Sequence, residues 1–173
     1  SYDAEMAQWG YRHPAIALAL LARHVPAGVG PILDAGAGTG LVGEWLGIVG
    51  FPDADALDIS EGMLAVARRK GVYRTLHRAA LGTELPFADA AYAAVVCTGV
   101  FTTGHVGPEG LDELIRVLRP EGVVVVTVKD TVWPGLSARI DRLGLRLIDE
   151  TPPYASLPGA GDAVPARCLV IGR

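Results

Sequence analysis

Cysteines, aromatic residues and long apolar runs are all scarce in this sequence. Two cysteines, Cys97 and Cys168, occur among 173 residues, and each lies in an apolar run, so we expect buried, reduced thiols and no disulfide framework. No apolar run approaches the roughly 20 residues of a membrane-spanning helix, and no secretory signal pattern opens the sequence. These absences predict a cytoplasmic chain that does not enter the membrane.

Positive charge is also limited, and the net charge is −4. The densest cationic segment, residues 68–70, ends a predicted helix, where cations complement the helix dipole. The basic surface of a nucleic-acid-binding protein is therefore absent, and we expect no nucleic-acid partner. Asp53, Asp55 and Asp58 are close in the sequence, but no histidine or cysteine accompanies them, so we expect no metal site.

Short apolar runs alternate with segments of helical periodicity along most of the chain. Apolar runs predict strands at residues 31–35, 54–58, 73–77, 93–98, 123–128, 145–149 and 167–171. Helical spacing and capping residues predict helices at residues 13–24, 40–47, 60–70, 111–118 and 136–143. This alternation is typical of an α/β domain with a mostly parallel sheet and helices on both faces.

The last two predicted strands are joined by residues 150–166, which show no helical pattern. A parallel return usually needs a crossover helix, so we expect these two strands to be an antiparallel pair. No repeat or second domain is visible, and the sequence predicts a single domain over residues 1–173. Residues 1–27 are expected to form a helical flap in front of a core formed by residues 31–173.

A glycine-rich segment, DAGAGTG at residues 34–40, joins the first predicted strand to the helix after it. Glycine permits positive φ angles and lets a ligand approach the backbone, and Gly40 closes the segment. The N-terminus of the following helix offers free N–H groups and a partial positive charge. Asp58 ends the next strand, where a carboxylate can accept hydrogen bonds from the hydroxyls of a ribose. Together these features predict a nucleotide-like ligand.

The glycine segment combines in order with LDIS at residues 57–60, LPF at 85–87 and LRPEG at 118–122. This combination resembles the class I S-adenosylmethionine-dependent methyltransferase superfamily over about residues 31–129. The segments YD, WGY, YR and LG, which begin at Tyr2, Trp9, Tyr73 and Leu81, are similar to the Williams-Beuren-region methyltransferase-like proteins and their bacterial relatives.

The resemblance implies an α/β, three-layer Rossmann-like methyltransferase fold with a mostly parallel seven-stranded sheet and one antiparallel strand. It also implies that residues 31–173 bind S-adenosyl-L-methionine, with S-adenosyl-L-homocysteine as the product. An Asn/Asp-Pro-Pro-aromatic tetrapeptide, which the amino-methylating DNA enzymes carry, is absent. With the acidic net charge, this absence favours a small-molecule methyl acceptor.

Roles near the methionine part of the cofactor follow from the resemblance. Asp34 would order the glycine turn and reach the methionine amino group through water or backbone. Gly36 and Gly38 would face the methionine part, Gly40 would also belong to the cofactor-binding turn, and the backbone of Thr98 or Gly99 would contact the amino group.

The resemblance also implies how the nucleoside part is held. Asp58 would bind the ribose hydroxyls, Ile59 and Met63 would lie on the two sides of adenine, and Leu81 would lie at its edge. One departure concerns Ala80 and Leu81, since many relatives carry an aspartate near these positions that accepts from the adenine amino group. We expect backbone or water to make that contact here.

His105 follows the strand that ends at Thr98, in the region where the superfamily builds its acceptor site. It is the candidate catalytic residue, as a general base or a substrate contact, and the alternative is a structural or solvent-facing histidine. Methyl transfer depends on proximity and orientation, so a general base is optional.

Tyr2 and Tyr11 are expected to close over the cofactor within a lid formed by residues 1–11, which has no strand or clear helix in the sequence pattern. The alternative is permanent aromatic packing on the helix at 13–24.

Two other functions remain open from the sequence. A nicotinamide-dependent dehydrogenase needs glycine at the sixth position of its Gly-x-Gly-x-x-Gly fingerprint, and Leu41 occupies that position here. A catalytically silent module that binds the cofactor and serves as an interaction partner is the second alternative, since the chain is short and has no inserted substrate domain.

Overall fold

A computed structural model describes residues 1–173, and its centre is a single seven-stranded sheet. The strands are β1 (Ile32–Ala35), β2 (Ala54–Asp58), β3 (Thr75–Arg78), β4 (Tyr92–Phe101), β5 (Leu118–Lys129), β6 (Arg146–Glu150) and β7 (Ala166–Gly172). Their order in the sheet is β3-β2-β1-β4-β5-β7-β6. The pairs from β3 to β5 are all parallel, and β7 runs antiparallel to both of its neighbours. The predicted mostly parallel sheet with one antiparallel strand is confirmed.

Helices cover both faces of the sheet. They are α1 (Tyr2–Gln8), α2 (His13–His24), α3 (Gly43–Leu46), α4 (Glu61–Lys70), α5 (Gly110–Val117) and α6 (Trp133–Arg142), and a short 3₁₀ turn spans Pro158–Ala160. None of these helices is both long enough and apolar enough to cross a membrane.

Two apolar clusters form the core, one on each side of the sheet. Alternate residues of β4 divide between them, since Val95 and Cys97 belong to one cluster and Ala94 and Val96 to the other. Helices α5 and α6 contribute to the first cluster, and α2 and α3 contribute to the second. The fold is therefore three-layered, as the resemblance implies. Both cysteines are buried and free, as expected.

Three local predictions are wrong in part. The helix predicted at residues 40–47 is reduced to the four residues of α3, because Gly40 has a φ of +90°, which a right-handed helix cannot contain. Residues 2–8 form a helix that the sequence pattern does not indicate, since Met6 is its only buried residue. Strand β5 begins at Leu118, which was predicted to end a helix, and therefore starts five residues before the strand predicted at 123–128.

Candidate functional site

A cavity of about 370 Å³ opens at the carboxyl ends of β1, β2 and β4. From β1 the chain continues to β2 and β3 on one side and later returns to β4 on the other side. Ligands of open α/β sheets bind at such a point, where the direction of strand addition reverses. The cavity wall contains residues 36–39 after β1, residues 58–60 at the end of β2 and residues 98–100 within β4.

Glycine is required at two positions of the turn after β1. Gly36 has a φ of +81°, and a Cβ atom there would lie 2.3 Å from Val100 Cγ2, so the turn is packed directly against β4. Gly38 has a φ of +55°, and a Cβ atom there would meet no protein atom within 4 Å. Because Gly38 lines the cavity, a side chain at this position would extend into free space that a ligand can use.

The carboxylate of Asp58 is held in a fixed orientation at the cavity wall. The backbone N–H of Gly38 donates to Asp58 Oδ2 at 2.8 Å, and the N–H of Ser60 donates to Oδ1 at 2.8 Å. Ser60 also caps α4, since its hydroxyl accepts from the N–H of Met63 at 3.3 Å. Each carboxylate oxygen can accept a second hydrogen bond, so Asp58 is able to receive two hydroxyl groups of a ligand.

Asp34 and Gly40 lie behind the turn and do not line the cavity. Asp34 is fully buried, and its Oδ1 atom has no hydrogen-bond partner. Burial raises the pKa of Asp34 to about 7, against the opposing effect of a hydrogen bond from Tyr73. A Cβ atom at Gly40 would contact the Tyr73 ring and Ala67, so Gly40 provides space for packing within the protein.

The sequence does not single out Tyr73 as a site residue, although this tyrosine supports the glycine turn from below. Its hydroxyl donates to Asp34 Oδ2 at 2.5 Å and accepts from the N–H of Gly43 at 3.1 Å. A Cβ atom at Gly43 would lie 2.5 Å from that hydroxyl. A glycine inside a predicted helix is costly and is therefore a signal of such a close approach.

Apolar side chains form the part of the cavity expected to receive adenine. Met63 and Leu81 line the wall, and Ile59 also lines it, with 64% of the residue exposed. Ala80 lines the wall as well and has no side-chain acceptor, which agrees with the departure noted in the sequence. The sequence did not indicate that Pro14 contributes to this cavity.

His105 lines the cavity within the loop between β4 and α5. The N–H of His105 donates to the carbonyl oxygen of Thr102 at 3.2 Å, which fixes the backbone of this loop. Val106 lines the cavity beside it, so the histidine is placed next to an apolar wall. The structure therefore puts His105 in reach of a ligand in the cavity, and its catalytic role stays a prediction.

The N-terminal residues reach the cavity from α1 and from the turn after it. Tyr2 and Tyr11 line the cavity, as do Thr98 and Gly99. A Cβ atom at Gly99 would lie 2.7 Å from the Tyr11 hydroxyl, so this tyrosine lies directly on β4. Burial raises the pKa of Tyr11 above its ordinary value.

Helix α1 is attached to the domain at both of its ends. Asp3 accepts hydrogen bonds from Thr39 Oγ1 at 2.5 Å and from Lys70 Nζ at 2.7 Å. At the other end, the carbonyl oxygen of Trp9 accepts from the N–H of Gly159 at 3.0 Å. Closure of residues 1–11 upon ligand binding stays a prediction.

Ten of the twelve residues predicted to bind the cofactor line one cavity, together with His105. The two exceptions are Asp34 and Gly40, which support the turn from behind. Residues far apart in sequence, from Tyr2 to His105, thus meet at one edge of the sheet.

Comparison with known proteins gives matches to methyltransferases in sequence and in fold. Demethylmenaquinone methyltransferase of Clavibacter sepedonicus is 41% identical over 97 residues, which are 55% of this chain and 39% of that protein. The uncharacterized methyltransferase YodH of Bacillus subtilis is 31% identical over 119 residues, which are 65% of this chain and 50% of that protein. The matched part of the chain thus spans half or less of the length of these relatives.

Solved structures share the fold at low sequence identity. A TehB-like SAM-dependent methyltransferase from Corynebacterium glutamicum superposes with a TM-score of 0.71 at 20% identity, covering 93% of this chain and 87% of the other. The [4+2]-cyclase SpnF superposes with a TM-score of 0.74 at 15% identity, covering 92% and 81%. A family model described as a methyltransferase domain matches residues 33–126, more than half of the chain. This chain therefore belongs to the class I S-adenosylmethionine-dependent methyltransferase family.

Proposed function

We propose that this chain binds S-adenosylmethionine in the cavity beside β1 and transfers its methyl group to a small-molecule acceptor, a quinone in its reduced hydroquinone form. The observation that carries the proposal is the pairing of Gly38 with Asp58. The turn leaves open space beside Gly38, and the same residue's N–H orients the Asp58 carboxylate on the cavity wall. The family membership of the chain supports the same cofactor.

The residues of the cavity fit this cofactor part by part. Asp58 offers free lone pairs to the ribose hydroxyls, and the apolar side chains of Met63 and Leu81 suit a flat aromatic ring. The cavity volume of about 370 Å³ lies in the range of small-molecule sites. When bound, S-adenosylmethionine supplies an electrophilic methyl group on a sulfonium.

The residues of this chain would act on the acceptor mainly by holding it in line with that methyl group. His105 and Val106 belong to the part of the wall that follows β4. A neutral imidazole at His105 is able to accept a proton from an acceptor hydroxyl, and Val106 gives an aromatic ring an apolar surface. Exclusion of water by Tyr2 and Tyr11 would complete the site.

A quinone is the acceptor class that the relatives favour. Three relatives, from Clavibacter sepedonicus, Renibacterium salmoninarum and Beutenbergia cavernae, are named demethylmenaquinone methyltransferase and are 37–41% identical over 95–97 residues. Each match covers 39% of the relative, so the acceptor comes to this chain as part of the proposal. The apolar surface beside His105 supports it.

A second candidate is a protein that binds the cofactor and does not transfer its methyl group. One observation favours it, because the [4+2]-cyclase SpnF shares this fold, so the fold does not determine the reaction. A nicotinamide-dependent dehydrogenase is opposed by Leu41, whose side chain lines the cavity where that family has glycine.

Two measurements on the same preparation separate these functions. Calorimetry should detect S-adenosylhomocysteine binding in the micromolar range and no binding of NAD. Mass spectrometry should then detect the gain of one methyl group on a reduced demethylmenaquinone after incubation with S-adenosylmethionine. Binding of S-adenosylhomocysteine without turnover on quinone, phenol, amine and thiol acceptors would favour the second candidate. Binding of NAD without a response to S-adenosylhomocysteine would contradict both.

A further inference from the structure

A second cavity, of about 560 Å³, lies beside the first one, between α1, α2 and α3. We call it the helical groove. Small and apolar residues line most of it, among them Met6, Leu18, Ala19 and Trp45. Its lining differs from that of the cofactor cavity, which contains the glycine turn and Asp58.

The groove adjoins the cofactor cavity. Tyr11, Pro14 and Leu41 line both cavities, so these three residues form the boundary between the two. Residues 1–11 contribute to both cavities as well, through Tyr2 to the first and Met6 to the second. A movement of α1 that opens the cofactor cavity would therefore also open the groove.

The groove offers no free charge to a polar ligand. Asp3 is the single charged residue in its lining, and its carboxylate already accepts hydrogen bonds from Thr39 and Lys70. A polar or ionic occupant would lose its hydration without gaining a partner, which is unfavourable. A hydrocarbon chain would gain free energy from burial on the same surface.

The outer end of the groove is an apolar patch on the protein surface. Trp45 and Val49 line the groove and are 55% and 37% exposed, and the neighbouring Ile48 is 77% exposed. Adjacent exposed apolar side chains of this size mark a site of interaction. The patch and the groove thus lie next to the cofactor cavity, on the side bounded by Tyr11, Pro14 and Leu41.

From this adjacency and the apolar lining of the groove we infer that the helical groove binds the hydrocarbon chain of the methyl acceptor while the acceptor's reactive ring lies in the cofactor cavity. The inference rests on the proposed function, because it assumes that an acceptor occupies the first cavity. It adds the place of the acceptor's apolar chain, which leaves the protein beside Trp45 and Val49. A ring without such a chain would fill only part of the site.

The test is a binding series with 2-alkyl-1,4-naphthoquinones whose chains contain one, four, eight and twelve carbons. Affinity is measured by calorimetry with and without S-adenosylhomocysteine, at concentrations where light scattering detects no aggregates. Burial of one methylene is worth up to about fourfold in affinity, so we expect an increase of about two- to fourfold for each added carbon until the groove is full. The chain-length series does not depend on turnover.

Variants of groove residues test where the hydrocarbon chain of the ligand binds. Ala19 is an exposed groove residue of α2, so Ala19→Phe fills the groove without removing a core side chain. We expect this variant to lose the dependence on chain length and to keep the affinity for the one-carbon compound. Trp45→Ala removes an exposed side chain and should weaken only the longest compounds. The control is Ala138→Phe on α6, an exposed alanine outside both cavities, which should behave as the wild type.

The outcomes separate this inference from the proposed function. No dependence on chain length in the wild type, or a dependence that Ala19→Phe and Trp45→Ala both leave intact, would overturn the groove as the chain site. A dimer in sedimentation experiments that Ala19→Phe dissociates would also overturn it, because a second copy would then cover the groove. Failure to bind S-adenosylhomocysteine would contradict the proposed function. The dependence of naphthoquinone affinity on chain length could still be measured without that ligand.

Discussion

The hydroxyl of Tyr73 donates a hydrogen bond of 2.5 Å to the buried carboxylate of Asp34, directly beneath the glycine turn. The same hydroxyl accepts from the N–H of Gly43, so one side chain connects the end of β1 with the start of α3. Asp34 has no second partner, since its Oδ1 atom is buried and unpaired. The position of the turn therefore depends on Tyr73.

Tyr73→Phe should destabilise the domain by about 1–3 kcal/mol, the usual cost of leaving a buried hydrogen-bonding group without a partner. The variant removes the only protein donor to Asp34 and leaves the ring in place to pack against Gly40. Urea denaturation measures the change in the free energy of unfolding. Tyr2→Phe is the matched control, because the Tyr2 side chain is exposed and its hydroxyl forms no hydrogen bond with the protein. Equal loss in both variants would show that Tyr73 has no special role.

Asp34 should make the stability of the domain depend on pH in a particular direction. Burial raises its pKa in the folded state from 3.8 to about 7, so folding favours the protonated carboxyl group. The stabilising contribution is fully present below about pH 4 and is lost as the pH rises through about 7. Asp34→Asn mimics the protonated group and cannot titrate. We expect the wild type to lose free energy of unfolding relative to this variant between pH 4 and pH 7. A constant difference over that range would contradict the raised pKa.

Gly38→Val should abolish binding of S-adenosylhomocysteine while the protein still folds. A side chain at Gly38 meets no protein atom and extends into the cavity, although its φ of +55° adds backbone strain of about 1–3 kcal/mol. Gly71→Val is the matched control, because Gly71 has a φ of +65°, contacts nothing and lies at the end of α4 outside the cavity. Calorimetry with S-adenosylhomocysteine on both variants separates the two effects. Backbone strain occurs in both variants, whereas only Gly38→Val blocks the cavity. Normal binding by Gly38→Val would show that the turn connects β1 to α3 without contacting the cofactor.

Residues 1–11 should gain protection from hydrogen exchange when S-adenosylhomocysteine binds. Tyr2 and Tyr11 line the cavity, so a ligand would add contacts that hold α1 in place. The amides of β5 are the internal control, because this strand is central in the sheet and should not change. If protection is absent and deletion of residues 1–11 leaves the affinity intact, then the segment is not a lid and packs permanently through Asp3 and Trp9.

Local sequence signals predict those parts of the fold that depend on neighbouring residues. Helix α2 spans His13–His24, the range predicted, and α4 lies within the predicted range of residues 60–70, with Ser60 as its N-cap. Helix α1 and the shortness of α3 depend on distant partners instead. Asp3 is held by Lys70, which is 67 positions away, and no local pattern reveals such a pair.

The residues of the site also divide into those that local sequence signals predict and those that depend on distant partners. Asp58 and Gly38 lie where the turn motif and strand spacing predict, because a short segment determines the geometry of each. The role of Tyr73 requires knowing that its ring passes beneath a turn more than 30 positions earlier in the chain. The groove beside Trp45 is equally invisible in the sequence, since three separate helices form it.

The most direct test of the cofactor site is a calorimetric titration of the wild type, Asp58→Ala and Asp53→Ala with S-adenosylhomocysteine. Asp53→Ala is the matched control, because Asp53 is exposed beside β2 and does not line the cavity. A hydrogen bond to a charged group is worth about 1.5–3 kcal/mol, which corresponds to roughly a ten- to hundredfold change in affinity. We predict micromolar binding by the wild type and by Asp53→Ala, and binding weaker by that factor in a folded Asp58→Ala protein. Equal affinity in all three proteins, or no binding by the wild type, would contradict the account.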